Sequence, residues 1–320
     1  MSHCLPLCDL WRDCKKKYIS LTFKRKKFKQ IALQLSHHTL GEISMQKHSK
    51  NAPKLMGHII AGYPDKEASL NAALGICEAG AKYLEIQFPF SDPNADGPII
   101  EQACDQSIQQ GFKIKDGFEL ASYLAQNTCT HIIIMTYANI IFHYGVKKFL
   151  KNARESKVWG IIVPDLPIEN DENLRKLAKK YHINIISLIA PHASISRIHK
   201  LSKISDKIVY VVARAGITGD KTPIDKNIFK WIKCVKKHCK KPIALGFGIN
   251  SNEQVQMLNE QVEIIVAGSY FVKKIGELKN QTPAMIKQEL VAHTRLLMGW
   301  NQMPTLDSKK STESKKSQES

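Results

Sequence analysis

No Cys-x-x-Cys pair and no group of cysteines and histidines at zinc-binding spacing occurs in this chain of 320 residues, although it holds eight cysteines and twelve histidines. The cysteines are scattered, which argues against a disulfide framework or a structural zinc and for reduced thiols in a cytoplasmic protein. There is no His-Glu-x-x-His sequence, so the histidines read as surface or packing residues. Apolar runs of membrane-spanning length are missing. The first ten residues have no continuous apolar stretch and include Asp9, a poor fit to a secretory signal. Acidic residues are short in number too: 29 against 47 basic ones, for a formal net charge of +18.

That charge is unevenly placed. About half of the excess falls in residues 1–54, in the blocks Lys15-Lys16-Lys17 and Lys24-Arg25-Lys26-Lys27. Such blocks suit a polyanion or an organelle-targeting segment, and equally a solvated lysine-rich extension upstream of a start at Met45. A nucleic-acid-binding reading rests on this charge alone. Residues 308–320 are all Ser, Lys, Glu, Gln and Thr, a composition too polar to fold. The expected organisation is a basic extension over 1–54, one domain over 55–303 and a disordered polar tail over 304–320.

Within that domain the richest segment is Leu84-Glu85-Ile86-Gln87-Phe88-Pro89-Phe90-Ser91-Asp92-Pro93-Asn94-Ala95-Asp96-Gly97. Glu85 lies inside an apolar run that reads as a strand, where an acid needs a partner or a task. Asp96 lies in the Pro- and Gly-rich loop that follows. One carboxyl in a wall and one on a loop suits acid and base working on opposite ends of a substrate. A satisfied structural acid at a strand end has the same sequence appearance.

Eight short Ile/Val/Leu-rich runs alternate with helix-length amphipathic segments. The runs are 55–61, 83–88, 131–137, 158–164, 184–190, 207–213, 242–247 and 263–267. Helical stretches include 66–78, 169–180 and 251–259, with chain left for an extra helix between the second and third runs. Eight strand-helix units in about 250 residues predict a (β/α)8 TIM barrel; a doubly wound open sheet is the other arrangement considered. Polar and glycine residues gather where strands end: Gly62-Tyr63-Pro64-Asp65, the Pro-Asp loop, Asp165, Arg214-Ala215-Gly216-Ile217-Thr218-Gly219, Gly246-Phe247-Gly248-Ile249-Asn250 and Ala267-Gly268-Ser269. Glycines after three successive strands let backbone N–H groups approach an anion, which points to a phosphate.

These residues, in this order, resemble the tryptophan synthase alpha chain family over about residues 55–297. The resemblance rests on Gly62-Tyr63-Pro64, Leu84-Glu85, Pro89-Phe90-Ser91-Asp92-Pro93, Ala95-Asp96-Gly97, Met135-Thr136-Tyr137-Ala138-Asn139, Asp165-Leu166-Pro167, the Arg214 to Gly219 loop, Gly246-Phe247-Gly248-Ile249 and Gly268-Ser269. It implies a barrel lyase that cleaves indole-3-glycerol phosphate to indole and glyceraldehyde 3-phosphate. It further implies Glu85 as acid/base, Asp96 at the indole nitrogen, and Gly219, Gly248, Gly268 and Ser269 around the phosphate. Tyr137, Tyr210 and Phe247 match the indole pocket, and Thr218 matches the residue that steadies the aspartate on closure. Pro93 matches a contact with a beta subunit, in an alpha2beta2 assembly. The family's short helix before the first strand would fall at 28–35. No metal or organic cofactor is implied, and no nucleic acid or membrane.

The departures cluster at the acids. The family's glycine two residues after the glutamate is Gln87, its apolar residue in Pro-x-Ala-Asp is Asn94, its pocket phenylalanine is His58, and the serine before Arg-Ala-Gly is Ala213. Gln87 shares the side-chain direction of Glu85 on one strand, which leaves three readings: it occupies substrate space, it holds Glu85 by a hydrogen bond, or it is harmless drift with compensating neighbours. Two functional readings follow: an active lyase, and a catalytically weakened subunit that serves mainly to regulate its beta partner.

Overall fold

A computed structural model describes residues 52–213, 224 and 226–300. The basic blocks, the 28–35 segment, Arg214 to Pro223 and the polar tail lie outside the described residues. Eight parallel strands close into a barrel in the order β1 to β8. They are β1 (Lys54–Ile60), β2 (Tyr83–Gln87), β3 (His131–Met135), β4 (Gly160–Ile162), β5 (Asn184–Ile189), β6 (Val209–Val212), β7 (Ile243–Gly246) and β8 (Ile264–Ala267). Closure is carried by β1 pairing with β8, Lys54 beside Ile264 and Gly57 beside Ala267, which excludes the open sheet. Each predicted run supplies one strand, trimmed at one or both ends, except that β1 begins one residue before its run, at Lys54.

Helices cover the outside: α1 (Lys66–Glu78), α2 (Pro98–Gln109), α3 (Ile114–Asn127), α4 (Ala138–Tyr144), α5 (Val146–Glu155), α6 (Leu174–Lys180), α7 (Ile195–Ile204), α8 (Lys226–His238), α9 (Asn252–Met257), α10 (Ser269–Glu277) and α11 (Pro283–Met298). The expected stretch 169–180 yields only α6, because Glu172 and Asn173 take left-handed conformations, at φ 47° and 62°, that no right-handed helix can include. Starts are fixed by side chains that accept the otherwise orphaned first-turn N–H groups. Asp65 takes the Ala68 N–H at 2.8 Å on α1, while Ser194 and Thr282 cap α7 and α11.

Strand alternation divides the interior into two layers. Met56, Tyr83, Ile133, Ile162, Ile186, Ala244 and Ile264 fill the barrel, whereas Leu55, Ile59, Leu84, Ile86 and Phe88 face the helices. Gly75 lets α1 and α11 touch, since a Cβ there would lie 2.5 Å from the Lys287 carbonyl oxygen. Phe88 anchors the end of β2. It is fully buried against Phe112, Phe118 and Phe149, with ring centroids 5.3 to 6.2 Å away. A side chain of that size contributes about 3–5 kcal/mol when deleted to Ala, so the loop that follows springs from a rigid point.

Candidate active site

The inward alternation of β2 puts Tyr83, Glu85 and Gln87 on one line, rising from the packed floor to the C-terminal mouth. In the ladder His58 of β1 lies directly opposite Glu85. Both are buried, at 3 % and 4 % exposure, and His58 Nδ1 is 3.1 Å from Glu85 Oε1. The other two polar atoms of this pair, His58 Nε2 and Glu85 Oε2, are buried without a hydrogen-bond partner.

Asp96 returns over the same mouth from the β2–α2 loop. Its Oδ2 accepts from Gln87 Nε2 at 2.6 Å and from Tyr137 Oη at 2.9 Å, and Tyr137 Oη accepts in turn from the Ala95 N–H at 3.1 Å. Tyr137 also stacks on Phe90, so one ring ties both ends of the loop to the top of β3. Gln87 is completely buried and does not line the cavity. Neither expected role of Gln87 is found: it holds Asp96, and the contact with Glu85 comes from His58.

Burial pushes the Asp96 carboxyl up from its ordinary value, against the opposing pull of the Gln87 hydrogen bond, the His58 charge and the Tyr137 hydrogen bond. His58 moves up as well. Desolvation draws the imidazole down, but the Glu85 charge and hydrogen bond, with Asp96 and Gln87 adding to them, outweigh it. Burial and the two carboxyls together raise the Tyr210 phenol well above its usual range. Cys104, behind Asp96, is pushed up to about 12, first by burial and then by the Asp96 charge, and is an inert thiol.

One cavity of about 130 Å³ collects these groups. It is lined by Glu85, His58 and Asp96, by Tyr210, Phe247, Gly248, Gly268 and Ser269, and by the apolar Ile100, Met135, Ile162, Leu188 and Val266, with Gly268 next to His58. Nothing in the sequence marks these apolar wall residues, since an Ile or Met of a barrel strand, or Ile100 of α2, reads the same whether it faces the cavity or the surrounding core. Gly248 takes φ 76°, with nothing within 4 Å of an added Cβ, so glycine is set there by backbone conformation. Gly246 belongs to packing instead of to an anion, since a Cβ on it would meet the Tyr210 ring at 2.8 Å. Ser269 opens α10 and lines the cavity, so the positive end of that helix dipole lies at the cavity wall. Gly219 and Thr218 lie outside the described residues. Asp165 does not line this cavity, and its Oδ1 accepts the Ala138 N–H at the start of α4. Pro93 is buried between exposed Asp92 and Asn94. Among the described residues no group of three or more His, Cys, Asp or Glu is placed to hold a metal, and no helix is long and apolar enough to cross a membrane.

The sequence profile of the tryptophan synthase alpha chain matches residues 45–298. The chain belongs to the tryptophan synthase alpha chain family. A tryptophan synthase alpha chain of Helicobacter hepaticus is 65 % identical over 258 residues, spanning 78 % of this chain and 97 % of that one. Among solved structures, a variant tryptophan synthase alpha-subunit from Pyrococcus furiosus superposes with a TM-score of 0.70 at 31 % identity, covering 77 % of this chain and 98 % of that one. The tryptophan synthase complex of Pyrococcus furiosus contains a chain that matches at a TM-score of 0.68 and 30 % identity, over 77 % and 98 % of the two chains. Family membership carries the role of the alpha chain, a lyase of tryptophan biosynthesis.

Proposed function

We propose that the chain cleaves indole-3-glycerol phosphate to indole and glyceraldehyde 3-phosphate, with Glu85 as acid/base and Asp96 as the acceptor for the indole N–H. The reading is carried by one observation: two buried carboxyls from one strand and its loop line a single largely apolar cavity that is also lined by Gly248, Gly268 and Ser269, the first residue of α10. The reaction is a retro-aldol cleavage. Indole C3 gains a proton, the glycerol hydroxyl next to it loses one, and the electron pair of the breaking C–C bond returns to the ring. A carboxyl alternating between acid and base serves both transfers, and a carboxylate at the indole nitrogen offsets the positive charge of the protonated ring. Both hydrogen bonds to Asp96 fall on Oδ2, which leaves Oδ1 for that N–H. Tyr210 and Phe247 offer flat apolar faces to the indole, while Tyr137, expected beside them, does not line the cavity and holds Asp96 instead.

The phosphate is taken by backbone N–H groups at Gly248, Gly268 and Ser269 together with Gly219, and Thr218 steadies Asp96 on closure. The partner is a beta subunit in an alpha2beta2 assembly, met by the outer side of the loop around Pro93, and the complex is cytoplasmic. Indole release from indole-3-glycerol phosphate, with and without a cognate beta subunit, tests this reading. Glu85→Gln keeps the shape but removes the titratable proton, so turnover is expected to drop by about two orders of magnitude or more. Unimpaired release by Glu85→Gln would overturn the assignment. A wild-type chain that releases no indole yet still alters the beta reaction is the regulatory subunit instead.

A further inference from the structure

A carboxylate sealed in an apolar barrel costs several kcal/mol unless something compensates it, roughly in the range known for buried unpaired charges. The compensation here is specific. His58 stands opposite Glu85 in the β1–β2 ladder, with Nδ1 at 3.1 Å from Oε1, and both side chains are at most 5 % exposed. His58 Nε2 and Gln87 Oε1 are a donor and an acceptor that both remain buried without partners. The groups acting on the imidazole are the carboxyls of Glu85 and Asp96 and the Gln87 amide, with no cation among them. Around these, Tyr210 of β6 faces both carboxyls, and Tyr137 and Cys104 face Asp96. Every formal charge bearing on the ring is therefore negative and favours an imidazolium.

Resting on the reading of Glu85 as acid/base, we propose that His58 is its proton-holding partner, storing at Nδ1 the proton that Glu85 hands to indole C3 and receiving back the one that Glu85 removes from the glycerol hydroxyl. The resting pair carries one proton, as imidazolium and carboxylate. The Nδ1–H bond breaks as the carboxyl gains that proton, and the carboxyl then gives it to C3. The carboxylate next takes the hydroxyl proton as the C–C bond breaks, the aldehyde forms and the bonding pair restores the indole ring. Passing that proton to Nδ1 returns the pair to its starting state with no other reactant. His58 acts through Glu85 and is a positioning residue in this scheme. Its consequence is that the pair still holds a proton at pH values where a free imidazole would have lost it.

The test is the pH dependence of kcat/KM for indole release by the full chain as wild type, His58→Gln and His58→Phe. The wild type should lose activity on the alkaline side through an ionisation above the ordinary 6.5 of histidine. His58→Gln keeps a donor for Glu85 but holds no second proton. It should shift that limb to lower pH by about one unit or more, and its deficit should reach about tenfold at pH 8 and shrink as the pH falls. An unshifted limb in His58→Gln, or full alkaline activity in His58→Phe, would overturn the proposal while leaving the lyase reading intact. A wild type that releases no indole at any pH, alone or with a beta subunit, overturns the lyase reading and this scheme with it. Should the His58 variants fail to fold, nitrogen-15 histidine spectra of wild type and Glu85→Gln decide: the His58 titration midpoint must fall in Glu85→Gln, and an unmoved midpoint refutes the pairing.

Discussion

Gln87 Nε2 donates to Asp96 Oδ2 at 2.6 Å from a side chain with no solvent exposure, so the strand that carries one carboxyl also grips the other. A buried hydrogen bond to a charged group contributes roughly 1.5–3 kcal/mol. Gln87→Met keeps the volume and removes the donor. It is expected to lower kcat for indole release by about tenfold or more, with a smaller change in KM, since Tyr137 still positions the loop. Steady-state kinetics across a substrate series checks this, and a variant with wild-type kcat would mean that the Gln87 contact is only structural.

Tyr137 acts at the other side of the same carboxyl. Tyr137→Phe keeps the stacking on Phe90 but frees the Ala95 N–H and removes one of the two donors to Asp96 Oδ2. The loop over residues 90–97 should then open more readily, with amide exchange at Ala95 and Asp96 faster by about an order of magnitude and turnover reduced to match. Exchange measured by mass spectrometry separates loosening of this loop from global destabilisation, which would speed exchange in the barrel strands too.

The eight strands were legible because each barrel strand is a short apolar run bounded by polar turns, Glu85 because an acid in such a run is expensive, and Asp96 only from its place in the Pro- and Gly-rich loop that follows. Other features were not local. His58 meets Glu85 only through the register of β1 on β2, and Gln87 meets Asp96 only because the loop folds back over its own strand. Gly246 had looked like part of an anion loop until the Tyr210 ring beside it supplied a packing reason. The missing half of the 169–180 helix turned on two left-handed residues, Glu172 and Asn173, that composition does not announce.

The His58–Glu85 pair also predicts a pH dependence of stability. The folded-state value of His58 is raised above 6.5, so its contribution is fully present below pH 6.5 and is lost as the pH rises through the folded value. The difference in unfolding free energy between wild type and His58→Gln should therefore be larger at pH 6 than at pH 9, by about 1.4 kcal/mol for each unit of the shift. Urea melts at the two pH values measure it, and a difference independent of pH would contradict the upward shift.

Removing residues 1–44 should leave a folded barrel. The family match begins at residue 45 and β1 only at Lys54, and the removed stretch carries charge that a core could not bury. A melting temperature within a few degrees of the full chain is the expected result. A larger loss would mean that the extension packs on the barrel.

Ser269 tests whether ligand binding is felt by a partner without any proton transfer. Ser269 opens α10 and lines the cavity, where the N–H groups and dipole of that helix would hold a phosphate. Ser269→Asp places a negative charge there, on a residue that is only partly buried, so the barrel should still fold. If a bound phosphate ligand orders the loops over the mouth, and that order shifts the open-closed equilibrium of a beta subunit, two variants should behave oppositely. Glu85→Gln given a non-cleavable indole-glycerol-phosphate analogue should still change the rate of serine and indole condensation by the beta subunit. Ser269→Asp should remove the ligand's effect while sedimentation still finds the complex. An identical ligand response in Ser269→Asp would break the link between this end of the cavity and the partner.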